Sequence, residues 1–415
     1  MNQRIPVIDC TDLYHPHQDV GDNFDLVLPY ALNEEIDLRA IVLDCTERFR
    51  QARTDHPNPH YRDEHGPRDP GFVSVLQLNY IFGRNVPAAV GPFLPLRSPD
   101  DASTDAPAFQ QQGVELILRT LRESDVPVDI AIFCSSRAVT AAFNRDPELF
   151  RRKVRRIHLS AGGYPRGYLE WNVMLDPHAF VGLLRSGLPI DIYPCATDQG
   201  PFDLGTNNSF WSMPDLRWID NMEPSLRRYL GFALQRVARV DYLRAMEEDW
   251  PALSAPEAFR TLTGWEHKVW ETAVWQNITG RKLVRRADGS CRILRPEELR
   301  ADDCVVPEEM IPVDVKVSDD GHFDATPTSQ DTAFRLYHRP DPGATQAALR
   351  DALPALYLSF RSRSSGVNAA RLEHAAASAS PATVPPPRSH ACANSSNESS
   401  RPFASTPSPR GLLDF

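Results

Sequence analysis

Between Ile5 and Asp25, in IPVIDCTDLYHPHQDVGDNFD, a short apolar run empties into Asp9, Asp12, Asp19, Asp22 and Asp25, with His15 and His17 among them. Carboxylates set this close repel one another unless a positive centre sits between them, so the segment predicts a cation site at the end of a strand. Asp22 and Asp25 are three residues apart, a spacing that puts both on one face of a starting helix. His15 and His17 flank Pro16 and are read as a solvent-facing turn. Farther along, Glu170 and Asn172 follow the Gly162-Gly163 turn, and His267 and Glu271 are spaced to share a helix face. His56, His60 and His65 lie in the proline-rich stretch Arg50 to Pro70. Their spacing matches no ordinary zinc pattern, and they read as part of a long solvated loop.

These groups need a frame to bring them together. Short apolar runs predict strands at Ile5 to Ile8, Leu38 to Leu43, Val128 to Phe133, Val154 to Leu159 and Ile190 to Tyr193. Helical patterns fall at Phe24 to Leu32, Val114 to Arg122, Ala138 to Phe143 and Pro177 to Arg185. Strands apolar on both faces and alternating with helices imply an α/β fold, a Rossmann-like open and mostly parallel sheet covered on both sides. In such sheets ligands bind beyond the carboxyl ends of the strands. That rule selects Asp9 and Asp12, then Asp44, Thr46 and Glu47, then Cys134, Ser135 and Ser136, and finally the segment containing Glu170 and Asn172. Asp176 followed by Pro177 reads as a structural helix cap.

Beyond Gln199 the alternation weakens. Pro224 to Leu253 and Leu262 to Gln276 read as helices, Lys282 to Asp320 as short strands and turns, and Thr345 to Leu358 as a last helix. The folded body is expected to span residues 1–360. Residues 361–415, rich in Ser, Ala and Pro, bury too little to offset chain entropy and are expected to be disordered. A net charge of −10 disfavours a general nucleic-acid binder. No run of about 18 apolar residues suits a membrane span. The opening residues enter a strand almost at once, and a cytoplasmic protein is the expectation. Seven cysteines without CxxC spacing argue against a paired disulfide framework.

The sequence resembles the inosine-uridine-preferring nucleoside hydrolases. The likeness is carried by IDCTDLYHPHQDVGDNFDLVLPYAL, by RAIVLDCTERF, by DIAIFCSSRAVTAAFNRDPELFRRKVRRIHLSAGG, and most specifically by YLEWNVMLDPHAFVGLLRSGLPIDIYP. It covers about residues 5–200 well and 200–355 weakly. What it implies is hydrolysis of the N-glycosidic bond of a nucleoside or related small-molecule riboside, with Ca²⁺ holding the ribose diol and activating water. The ligands it implies for calcium are Asp9, Asp12, Asp25, the backbone carbonyl of Ala138, and Glu271, with either Asp9 or Cys10 standing beside Asp12 at the family's first two aspartates. Asp22 or Asp25 would be the base, and His267 would assist the departing base. Asp12, Glu47, Glu170 and Asn172 would hold the riboside. A homo-oligomer is compatible with the resemblance. The family's adjacent aspartate pair is absent, since Asn23 and Phe24 separate Asp22 from Asp25, and its distant His-Asp pair has only WEHKVWETAVWQNITG as counterpart. Those departures leave a second expectation standing, a catalytically inactive ligand-binding protein of the same fold.

Overall fold

Val7, Ile8 and Cys10, almost wholly buried, show why the chain's first element is an interior strand. Val7 packs into one of two apolar clusters and Ile8 and Cys10 into the other. That alternation places β1 (Ile5–Thr11) in the middle of a sheet covered on both faces. The structure is a computed structural model that describes residues 4–13, 20–46, 69–234, 240–248, 263–264 and 266–363. The expected loop at Arg50 to Pro70, apart from its last two residues, and the expected tail beyond 363 lie outside the described residues, as do His15, His17 and Asp19.

Five further strands follow: β2 (Ile36–Leu43), β3 (Ala88–Val90), β4 (Val128–Ile132), β5 (Val154–Ser160) and β6 (Ile190–Tyr193). A two-stranded antiparallel sheet of β7 (Trp211–Met213) with β8 (His267–Val269), and a small sheet of β9 (Lys282–Arg285), β10 (Cys291–Leu294) and β11 (Cys304–Val305) come next. The chain then returns to the main sheet with β12 (Glu309–Val317), β13 (Phe323–Pro327) and β14 (Phe334–His338). The nine-stranded order is β13-β12-β14-β6-β5-β4-β1-β2-β3. The run from β14 to β3 is parallel, and β12 pairs antiparallel with both neighbours. The expected α/β sheet is therefore present, with the carboxyl ends of β1, β4, β5 and β6 at one edge.

The segment expected as one helix from Phe24 to Leu32 is two, Val20–Asp25 and Val27–Ala31, and the first carries both Asp22 and Asp25. The helix expected from Leu262 to Gln276 is corrected. His267 and Val269 are buried with Lys268 between them half-buried, a period-two pattern satisfied by pairing His267 with Met213. The helix begins only at Thr272 and runs to Thr279, where Gly280 takes a left-handed conformation (φ 70°) and ends it. Val313, Val315 and Val317 do alternate along β12, and the last helix spans Pro342–Ser359.

Candidate active site

A cavity of about 330 Å³ lies beyond the carboxyl ends of β1, β4, β5 and β6. Asp12 and Asp22 line it, together with Glu170, Asn172 and Glu271 from later segments. The helix Val20–Asp25 packs against the end of β1. Thr11 Oγ1 donates to Asp22 Oδ2 at 3.0 Å, and the Asp12 amide donates to the same oxygen at 3.1 Å. Asn23 Nδ2 donates to the Leu13 carbonyl, fixing the far side of the turn. Two aspartates ten residues apart in sequence are thus locked to one wall.

Asp9 and Asp25 lie behind that wall and do not line the cavity. Both are almost wholly buried. Burial and the neighbouring Asp25 carboxylate push the Asp9 carboxyl up to about 8. Asp9 Oδ1 has no hydrogen-bond partner. Tyr357 of the last helix donates to the Phe24 carbonyl at 2.8 Å and stacks on the Phe24 ring, anchoring the helix that carries Asp25. The donors here are hard carboxylate oxygens, and a buried oxygen without a partner suits a hard cation. Among the described residues no group of three or more His, Cys, Asp or Glu is gathered as a metal shell.

Glu170 does more for the backbone than its place in the sequence suggests. It caps the helix Trp171–Leu175: Oε1 accepts from the Asn172 amide at 3.0 Å, and Oε2 accepts from Gly162 at 2.9 Å and from Val173 at 3.3 Å. Burial raises its carboxyl, and these amides oppose the rise. Asn172 spends its amide hydrogens on the Phe133 and Ser160 carbonyls, which leaves Oδ1 as its acceptor at the cavity. Gly162 (φ 92°) and Gly163 allow close approach, but what approaches is protein: a Cβ would meet the Phe323 ring at 2.8 Å and the Tyr168 carbonyl at 2.5 Å.

Glu271 reaches the cavity from the N-cap of helix Thr272–Thr279, with Oε2 accepting the Trp270 amide at 2.9 Å. His267 is buried in β8, does not line the cavity, and shares no helix face with Glu271. Ala138 is the second residue of helix Arg137–Arg145 and is absent from the cavity wall. Glu47 lies outside the described residues. Two features leave no signal in the sequence pattern. Tyr168 and Phe202 join Trp270 as an aromatic rim, with Lys268 Nζ 4.0 Å from the Phe202 ring centroid. Arg137, fully buried, bonds Asp176 at 3.0 Å and lies 3.5 Å from Asp44, which also accepts from Ser135 at 2.7 Å. Asp44, a strand-end candidate by sequence, is thereby a structural anchor, and Asp176 caps its helix through Ala179 as its sequence context suggests.

No family model matches the sequence. Among characterised proteins, the pyrimidine-specific ribonucleoside hydrolase RihA of Citrobacter koseri is 32% identical over 143 residues, covering 29% of this chain and 46% of that protein. RihA of Enterobacter sp. is 36% identical over 98 residues, covering 22% of this chain and 31% of that protein. The chain thus spans less than half the length of these curated relatives. Among solved structures, a purine-preferring ribonucleoside hydrolase from Gardnerella vaginalis aligns with a TM-score of 0.48 at 14% identity, covering 85% of this chain and 99% of that one.

Proposed function

From this chain's homology to the nucleoside hydrolase superfamily, we propose that it hydrolyses the N-glycosidic bond of a nucleoside or related riboside. The observation that carries the reading is the meeting of Asp12, Asp22, Asn172 and Glu271 in one cavity with an aromatic rim. In the reaction the bond from C1′ to the base nitrogen breaks, water supplies the new C1′–O bond, and the departing nitrogen takes up a proton. Asp22, on the cavity wall and oriented by Thr11 and Asp12, is the base that accepts the water proton, in preference to Asp25 behind it. Asp12 and the Asn172 Oδ1 bind and orient the ribose hydroxyls. Glu170 positions Asn172 and the Gly162 turn through its capping bonds, and Glu47 joins the riboside contacts. His267 acts on the leaving base only through β8, which leads directly to Trp270 at the rim. Calcium would draw on Asp12 and Glu271 at the cavity, with Asp9 and Asp25 behind the wall and Ala138 off it, and would supply a centre for the vicinal hydroxyls and a more acidic water. The substrate is a small molecule rather than a nucleic acid, the setting is cytoplasmic, and a homo-oligomer is compatible with the reading. Among the described residues no helix is long and apolar enough to cross a membrane.

A second reading, riboside binding without turnover, is favoured by one observation: both Glu170 oxygens are committed to backbone amides. Ribose release from inosine and uridine, measured with and without added calcium, separates the two. Release that disappears in Asp22→Asn supports hydrolysis. A calcium-loaded protein that binds ribosides but frees no ribose establishes the binding role.

A further inference from the structure

At the amino ends of β4, β5, β6 and β14, the edge of the sheet opposite the cavity of Asp12 and Asp22, the chain gathers a cluster of charge. Its buried acids are Asp129 and Asp191, each the second residue of its strand. Their four oxygens are filled from within the protein. Asp129 Oδ1 accepts from Arg155 Nε at 2.7 Å and Oδ2 from Arg155 Nη2 at 2.5 Å, with His158 Nε2 3.0 Å from Oδ2. Asp191 Oδ1 accepts from Arg156 Nη1 at 2.8 Å and from Arg335 Nε at 2.7 Å. Its Oδ2 accepts from Arg335 Nη2 at 2.5 Å and from Asn277 Nδ2 at 3.1 Å. The register between β4 and β5 shifts here, with Val128 opposite Val154 but Asp129 opposite Arg156, so Arg155 is an extra residue. Regular pleating sends successive side chains to opposite faces, and the bulge lets Arg155 and Arg156 reach acids of one cluster.

Three guanidiniums thus answer two carboxylates, and His158 adds no negative charge in either protonation state. The carboxylates whose fields reach Arg155 and Arg335 are these same two. Arg335 also borders a cavity of about 470 Å³, whose other charges are met elsewhere. Arg281 bonds Glu35, Lys282 acts on Glu308, and Glu309 lies opposite His338 at the far end of β14. The surplus cation is within reach of solvent, since the side chains of Arg155, Arg156 and Arg335 are 48%, 25% and 35% exposed. Their bonds to the two acids leave over Arg155 Nη1, Arg156 Nε and Nη2, and Arg335 Nη1. Arg156 and Arg335 share one oxygen of Asp191 and so stand side by side. We propose that their outer edges, with Arg155 close by, form a second ligand site for a tetrahedral oxyanion of the phosphate class, free or as a phosphomonoester. Planar N–H forks suit such oxygens, and the two saturated aspartates hold the forks in place. The inference stands independently of the riboside reading.

The test uses the full chain without calcium, titrated by calorimetry with inorganic phosphate and with phenyl phosphate at constant ionic strength set by sodium chloride. One saturable site is expected, and whichever probe binds tighter tells a free anion from a monoester. Affinity should fall about tenfold in Arg156→Met, where Asp191 keeps its bonds from Arg335 and Asn277. Arg151→Met removes a cation of the same basic run that bonds Glu148 instead, and should leave affinity unchanged. A native crystal soaked with phosphate should show it across the edges of Arg156 and Arg335, a readout that holds even if a variant fails to fold. No heat beyond that of sodium chloride, an unchanged affinity in Arg156→Met, an equal loss in Arg151→Met, or phosphate density only elsewhere would each overturn the proposal.

Discussion

Asp9 and Asp129 are two buried aspartates on adjacent parallel strands, β1 and β4, and the register sets Val7 opposite Asp129 and Asp9 opposite Ala131. They sit two rungs apart on the same face, and their chemistry is opposite. Asp129 accepts from Arg155 Nε at 2.7 Å and lies 3.0 Å from His158 Nε2. Burial works to raise its carboxyl, but Arg155 and His158 outweigh burial and hold it below its ordinary value. Asp9 has Asp25 for a neighbour, and its Oδ1 has no hydrogen bond. A carboxylate whose charge is answered by protein groups is part of the frame. One pushed up by burial beside another carboxylate, as Asp9 is, stays largely protonated near neutral pH unless a cation joins it. The sheet thus carries a compensated acid towards the start of its strands and an uncompensated one towards the end where Asp12 and Asp22 meet.

The strongest way to sharpen that contrast is at the uncompensated end. Asp22→Asn keeps the shape and the hydrogen-bond acceptor for Thr11 but removes the base. Ribose release should fall by about 10²- to 10⁴-fold with riboside affinity little changed. A fall in affinity with an unchanged turnover would move the base elsewhere. Asp12→Ala removes a cavity carboxylate and should abolish calcium binding by calorimetry. Unchanged affinity would place the ion away from this wall.

At the compensated end the expectation concerns folding. Asp129→Asn leaves His158 buried beside a neutral amide and should destabilise by about 3 kcal/mol in denaturant titration. Its pH dependence has a definite sign. Because the folded Asp129 carboxyl titrates below its unfolded value of about 3.9, the stability it contributes is present above that value. It is lost as pH falls through the lower, folded value. The native protein should therefore lose stability on acidification over this range more steeply than Asp129→Asn does. Parallel acid limbs would mean that Arg155 and His158 do not hold Asp129 ionised.

How much of this contrast is legible in the sequence depends on how local its causes are. β1, β2, β4, β5 and β6 are legible because strands buried on both faces leave continuous apolar runs. The cavity residues Asp12, Glu170 and Asn172 follow from the rule that sites lie past such strands, and Asp22 from the cluster of carboxylates after Ile5. β3 is three residues between Pro87 and Gly91 and has no run to detect. The i, i+4 spacing of His267 and Glu271 imitates a helix face, while β8 exists because Trp211–Met213, distant in sequence, offers it an edge. Arg137 and the Asp129 network are illegible for the same reason, since a residue's partner across the sheet leaves no mark in its own neighbourhood. Glu170 as a cap is hidden by habit of type, because Ser, Thr, Asp and Asn are the usual N-caps.

The smallest predicted effect is the most discriminating one for the comparison. Asp9→Asn is nearly isosteric and takes away an oxygen that has no hydrogen bond to lose. Without added calcium its unfolding free energy should lie within about 1 kcal/mol of the native value, well short of the Asp129→Asn loss. With calcium the two substitutions should exchange rank in a second readout. The native protein and Asp129→Asn should both gain thermal midpoint as calcium is titrated in, because a ligand bound only by the folded state stabilises it by mass action. Asp9→Asn should gain far less. An equal calcium-dependent gain in Asp9→Asn would show that Asp9 is not held in reserve for a cation, and the distinction between the two aspartates would reduce to their hydrogen bonds alone.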